Sequence, residues 1–282
     1  LTADLGKYTD IHPFRDAYPE RFFNVGMAEQ NLVAVAAGLA RTGKQPFATT
    51  YGVFASRRAF DFVAIALAHS NLDVKLVAGL PGLTTGYGGT HQAIEDLALM
   101  RMIPGLTIID PMDATEIDAA TVAMSDHRGP VYMRLLRGAV PVVLEPGYRF
   151  EIGKARQLRD GKDVGIISTG LMSERAVDAA ALLEKRGISV AVLHVPTIKP
   201  FDAETVAAFA ASVGQLVTAE NHVVVGGLAS LVVETLFDAG IVRKVTRIGL
   251  PDRYIECGAV PTLQQKYGLT VEAVVERIVG LQ

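Results

Sequence analysis

Four short clusters along the 282-residue chain combine residue types that could bind or transform a ligand. In residues 22–31, Glu29 opens an apolar, Gly- and Ala-rich run. A carboxylate there either complements a helix dipole from the first turn or is buried with the helix and needs a specific partner. Both readings are open on residue types alone. In residues 49–58, Tyr51 and Phe54 share a helix face at spacing three, with Arg57 three further on. They are core aromatics beside solvated cations, or a shelf for a flat heterocycle with a cation next to it. Residues 79–92 hold five glycines and end in Thr90-His91-Gln92, which suggests a loop over a ligand and backbone amides free to take a phosphate. His91 is the histidine best placed for function, whereas His194 reads as a strand-end packing residue. In residues 134–138, Arg134 and Arg137 stand where a strand ends, and two cations there bind an anionic substrate or make interface salt bridges.

Other chemistries find no footing. No G-x-x-x-x-G-K-[ST] or G-x-S-x-G motif occurs, and no GxGxxG follows the first predicted strand. Cys257, the single cysteine, has no local argument for activation and excludes a disulfide framework. No His or carboxylate grouping makes a metal site, so none is expected in this chain.

The elements that must position these clusters alternate between two types. Helix-like stretches with a period near 3.6 cover residues 27–41, 52–70, 90–102, 113–127, 173–186, 203–212 and 226–239. Between them lie short β-branched runs at 74–78, 107–109, 131–134, 164–168, 190–194, 215–219 and 245–248. Almost wholly apolar strands separated by amphipathic helices predict α/β architecture with parallel strands buried on both faces. Helical periodicity lapses from 138 to 161, where Pro141, Pro146, Gly147, Gly153 and Gly161 collect. Residues 145–158 are expected to form a short strand pair or a crossing arm. The expectation is two doubly wound, mostly parallel domains, residues 1–147 and 148–282. Leu1 to Gly6 reads as the tail of a strand running into a loop, as if the sequence began inside the first element of a domain.

Composition narrows the classes further. Half of the residues are apolar and a fifth are charged, enough for a large core. A formal net charge of −3 lacks the footprint of a nucleic-acid binder. No apolar run approaches the ~18–20 residues of a membrane span. A cytoplasmic location is expected.

Taken together the clusters are more specific than any one of them. Phe23-Asn24-Val25-Gly26-Met27-Ala28-Glu29-Gln30-Asn31, Pro46-Phe47-Ala48-Thr49-Thr50-Tyr51 and Gly89-Thr90-His91-Gln92-Ala93-Ile94-Glu95-Asp96 resemble the transketolase family in order and spacing. They are similar also to 1-deoxy-D-xylulose-5-phosphate synthase. The resemblance continues through Pro111-Met112-Asp113, Glu220-Asn221-His222 and Pro251-Asp252-Arg253-Tyr254, and so covers essentially the whole chain.

It implies a pyrimidine-binding domain followed by a C-terminal domain. The family's pyrophosphate-binding domain carries a Gly-Asp-Gly signature that is absent here. A split transketolase with that domain on a partner subunit, assembled as a dimer of heterodimers, accounts for both facts. The implied cofactor is thiamine diphosphate, with Mg2+ or Ca2+ held by the partner. Glu29 matches the glutamate that hydrogen-bonds N1′ of its aminopyrimidine, and the thiazolium serves as electron sink for cleaving a ketose C–C bond. Tyr51 and Phe54 match aromatic positions of the pyrimidine pocket, and Arg57 a basic position of the synthase-like relatives. His91 falls on the histidine that contacts substrate hydroxyls, and Arg137 on a basic position associated with the substrate phosphate. Tyr87 stands where the family usually has an acidic residue that reads the sugar hydroxyls, which points to an unusual sugar phosphate. The C-terminal domain is expected to be structural or dimer-forming, with Glu220 and His222 as further candidates. Alternatives are synthase-like condensation, a 2-oxoacid dehydrogenase beta-type subunit, and a non-catalytic scaffold paralogue.

Overall fold

The computed structural model describes residues 1–281. Its strands are β1 (Phe47–Tyr51), β2 (Lys75–Gly79), β3 (Thr107–Ile109), β4 (Val131–Leu135), β5 (Arg156–Arg159), β6 (Val164–Ser168), β7 (Val190–His194), β8 (Thr197–Lys199), β9 (Gln215–Val223) and β10 (Val245–Leu250). They form two five-stranded sheets, ordered β1-β2-β4-β3-β8 and β10-β9-β6-β7-β5. All pairs are parallel except the edges β3–β8 and β5–β7. Every residue of β6 and β7 is buried, as parallel strands covered by helices on both faces must be.

Register does the positioning in the first sheet. Tyr51 pairs with Gly79, and Gly79 with Leu135, so three of the four clusters leave the sheet at the same carboxyl edge. Ligands gather at that edge in open α/β sheets. The fourth is brought alongside by Thr2, which bridges both Thr49 and Asn24 and so sets the helix Glu29–Arg41 beside β1.

Several elements differ from the sequence expectation. The stretch 52–70 is not a regular α-helix: π-helical turns Phe54–Arg58 and Val63–His69 flank a short α-helical turn. The helix expected over 90–102 begins only at Asp96, because Ala93 is drawn into bridges with Pro81 and Gly82. For 145–158 the crossing-arm alternative holds as far as residue 155, within an irregular arm over 136–155, and strand β5 begins at Arg156 and pairs with β7. Asp113 pins the arm through the amides of Val143 and Leu144, and Asp202 through that of Ala155. Strands β1 and β8 and the helices Val260–Lys266 and Val271–Val279 were not expected from the pattern.

Candidate active site

The helix Glu29–Arg41 buries Leu32, Val33, Ala36 and Ala37 on one face, and its first residue is drawn in with them. Glu29 is only 1% exposed. The partner that such burial demands is Arg58, whose Nη1 donates to Oε1 and Oε2 at 3.0 and 2.9 Å. Its guanidinium lies 4.3 Å from the centre of the Phe54 ring, and Phe54 is stacked on Tyr51 at 5.8 Å and 24°. Carboxylate, cation and two rings thus form one corner. Arg58 remains nearly half exposed along its side chain.

A second group faces this corner. The His91 ring lies edge-on to Phe54 at 5.5 Å, to Tyr51 at 6.3 Å and to Tyr87 at 5.5 Å. Tyr8 meets Tyr51 at 6.4 Å, and Arg137 lies 6.0 Å over Tyr8 and 3.4 Å from Asp10. Burial pushes the Tyr51 hydroxyl above its usual range, so it stays a neutral donor and acceptor.

Of the residues singled out, Glu29, Tyr51, Phe54, His91 and Tyr87 come together, with Arg137 at the rim. Arg57 does not join Glu29. Its Nε pairs with Glu95 at 2.8 Å, and its Nη2 donates to the carbonyls of Gly89 and Gln92, bracing the loop that carries His91. The adjacent Arg58, together with Tyr8 and Asp10, had not been singled out. The Arg57-Arg58 pair was visible, but in an ordinary helix nothing separates the two, and the π-helical turn does.

Arg134 belongs to the interior. It is 2% exposed, bonds both carboxylate oxygens of Asp96, and reaches Asp110 at 3.3 Å. Tyr132 donates to Asp96 at 2.7 Å and Thr169 to Asp110 at 3.1 Å. Burial raises both carboxyls. The Arg134 charge overcomes this at Asp96, which sits below its usual range, while Asp110 stays above. Deeper still, Ser173 Oγ meets His194 Nδ1 at 2.6 Å and His194 Nε2 meets Glu116 at 2.8 Å. That is a triad-like sequence of bonds, but all three groups are sealed from solvent and reach no substrate. Glu220 is likewise structural here, accepting from the amides of Leu228 and Ala229.

Comparison with known proteins fits this geometry. Residues 1–142 match the family model "Transketolase, pyrimidine binding domain", and residues 153–274 match "Transketolase, C-terminal domain". The chain belongs to the transketolase family. It is 58% identical over 281 residues to a transketolase family protein of Sinorhizobium fredii, covering 99% of this chain and 81% of that one. It is 42% identical to the 6-deoxy-6-sulfo-D-fructose transketolase subunit of Clostridium sp. (strain MSTE9), covering 98% and 85%. Among solved structures, "Split gene transketolase, inactive beta4 tetramer" superposes with a TM-score of 0.89 at 43% identity, covering 98% of this chain and 89% of that one. A 1-deoxy-D-xylulose-5-phosphate synthase of Methylacidiphilum infernorum is 37% identical, but this chain spans only 44% of it. Transketolase membership implies use of thiamine diphosphate.

The corner can be tested against that cofactor. The guanidinium of Arg58 is a planar, N–H-bearing cation, and it already rests on the Phe54 ring with an N–H on the buried carboxylate. An aminopyrimidine would present the same flat face, and its N1′ an N–H to the carboxylate whenever the shared proton lies on the ring. The residue set therefore fits the group.

Proposed function

We propose that this chain is the pyrimidine-binding domain (residues 1–147) and the C-terminal domain (residues 148–282) of a two-chain transketolase. It transfers a two-carbon ketol unit between sugar phosphates together with a pyrophosphate-binding subunit that holds the diphosphate and its Mg2+ or Ca2+. A dimer of heterodimers in the cytoplasm is the working assembly. Thiamine diphosphate, when bound, supplies the electron sink for breaking the ketose C–C bond. The chain's own share is to hold and to orient. Tyr51 and Phe54 support the pyrimidine face, and Glu29 exchanges a proton at N1′ once Arg58 yields its place. His91 faces the donor hydroxyls, Tyr87 shapes the sugar's approach, and Arg137 meets its anionic end. Arg57 acts through the loop that it braces.

The observation that carries this reading is Glu29: a carboxylate sealed on its own side, at a helix start, with one half-exposed cation stacked on an aromatic ring in front of it. Tyr87, in place of an acidic residue, supports an unusual sugar. A relative named for a sulfonated deoxyketose is in keeping with that.

Glu29→Gln keeps the shape and removes the proton exchange. In the complex with the partner subunit it should slow hydrogen–deuterium exchange at thiazolium C2 by about 10²–10⁴-fold, the range of general acid–base contributions, with thermal unfolding unchanged. Near-normal exchange would sink the assignment, and robust turnover by the single chain would sink the two-chain reading. Xylulose 5-phosphate accepted as donor and pyruvate refused separates it from the synthase.

A further inference from the structure

The glycines at 82–89 suggested a loop arched over a ligand. The structure gives them another neighbour. A Cβ built on Gly82 would lie 2.3 Å from the carbonyl oxygen of Asn221, and one on Gly86 would lie 2.1 Å from that of Gly258. On Gly88 it would meet Cys257 Sγ at 2.7 Å, and on Gly89 the Tyr254 ring at 3.1 Å. Real Cβ atoms essentially never come within 3.0 Å of such neighbours, and 3.1 Å is tighter than most real contacts, so these glycines let the loop press against the second sheet's domain. Hydrogen bonds fasten it there. Leu83 N donates to Asn221 Oδ1 at 2.8 Å, Gln264 Nε2 donates to Leu83 O at 2.9 Å, and Gly258 N donates to Gly86 O at 3.0 Å.

The fastened segment carries Tyr87 and leads straight into His91. Its other attachment is Arg57, on the Gly89 and Gln92 carbonyls. Gly89 thus sits between Arg57 and Tyr254. Asn221 is buried, while the Tyr254 ring is 75% exposed beside the loop. Small displacements of a substrate-facing group are costly to a reaction, so whatever sets the height of this main chain sets how the sugar fits.

We propose that Asn221 and residues 254–258 are positioning elements of the substrate site, through which the C-terminal domain fixes the main chain presenting Tyr87 and His91 to the donor sugar. This rests on the reading of Tyr87 and His91 as sugar-facing. The domain expected to be structural or dimer-forming thereby tunes substrate fit while leaving the Glu29 corner untouched.

Two measurements test it. The first is amide hydrogen exchange of residues 82–92 in this chain alone, which needs neither cofactor nor substrate. The second is donor KM in the complex with the partner subunit, set against thiamine diphosphate affinity from calorimetry. Asn221→Ala should speed exchange at the Leu83 amide and raise donor KM about fivefold, the factor that ~1 kcal/mol gives, with cofactor Kd within about twofold of the parent. Tyr254→Ala removes an exposed ring, so it folds even where the buried substitution does not, and it should loosen the amides around Gly89. Gly89→Ala should raise donor KM about threefold, and the double variant Gly89→Ala/Tyr254→Ala should restore it, since the ring that the new methyl strikes is gone. Unchanged loop exchange and unchanged donor KM in folded Asn221→Ala or Tyr254→Ala would overturn the proposal. So would a cofactor Kd that weakens in step with KM, or Gly89 and Tyr254 effects that add instead of cancelling. A parent complex that binds the cofactor yet transfers no ketol unit would refute the functional reading alone, and the exchange experiment would still decide whether the C-terminal domain holds the loop.

Discussion

Two arginine–carboxylate pairs in this chain are built alike and behave differently. Glu29 and Asp96 are each a buried acid at the first residue of a helix, and each is met by an arginine from the same sheet's domain. Around Asp96 both sides are closed. Arg134 is fully buried, grips both oxygens through Nε and Nη2, and is shared with Asp110, while Tyr132 takes a further lone pair. Around Glu29 only the acid is closed. A single nitrogen of a nearly half-exposed Arg58 bridges its two oxygens. The first pair holds the molecule together. The second leaves its cation a route to water, which the proposed exchange for another flat donor requires. What separates the two carboxylates is therefore access on the partner's side, not the burial of the acid.

The comparison breaks most visibly at Arg134. Arg134→Met leaves Asp96 and Asp110 buried without their cation, and should destabilise the chain by about 3–5 kcal/mol in urea unfolding. A cost no larger than that of Arg58→Ala would erase the distinction.

Next comes the pH dependence of the sealed region. Burial pushes Glu220 up to about 7 and His222 down to about 4. The raised acid holds a proton in the folded state that the unfolded state has lost, so its contribution to stability falls as pH rises from about 4.5 to 7. The depressed histidine lacks a proton that the unfolded state holds, so its contribution rises with pH between about 4 and 6.5. The two slopes oppose each other, and the parent should be nearly flat over their shared window. His222→Gln should leave stability falling with pH there, and Glu220→Gln should leave it rising. Urea midpoints taken at half-unit pH steps check both signs.

The smallest effect belongs to Arg58. Arg58→Ala strands one buried carboxylate, but water can enter where the half-exposed guanidinium stood, so it should cost about 1–2 kcal/mol of stability, less than Arg134→Met. It should tighten thiamine diphosphate binding in the complex a few-fold, since a competitor for Glu29 and Phe54 has gone. Weaker binding would mean that Arg58 helps to hold the cofactor instead of making way for it.

Much of this was legible in residue order, and the failures have local causes. The buried β-branched runs at 164–168 and 190–194 announce parallel strands, because burial on both faces leaves no polar positions to confuse the pattern. Strand β8 has three residues, and its partner β3 lies some ninety residues earlier, so no local window contains the reason for it. Glu29, Tyr51 and Phe54 stand out within ten residues but stay open between core and site until the family resemblance is added, and Tyr51 proves to end β1 and not to share a helix with Phe54. The choice between Arg57 and Arg58 turned on the width of one helical turn. The roles of Asn221 and Tyr254 were hidden for the opposite reason. Each lies more than a hundred residues from the loop it touches, and glycines admitting a close neighbour read the same as glycines admitting a ligand.

Strand β8 belongs by sequence to the second unit but closes the edge of the first unit's sheet against β3. The two units are consequently poor modules for a protein engineer. A fragment cut within the arm at 136–155 would present β3 as a raw edge with unpaired amides and carbonyls, an invitation to pair with another chain. Swapping the C-terminal unit between relatives would likewise exchange a strand of the cofactor-binding sheet. Hybrids assembled from the two halves should express well only when β3 and β8 come from the same parent.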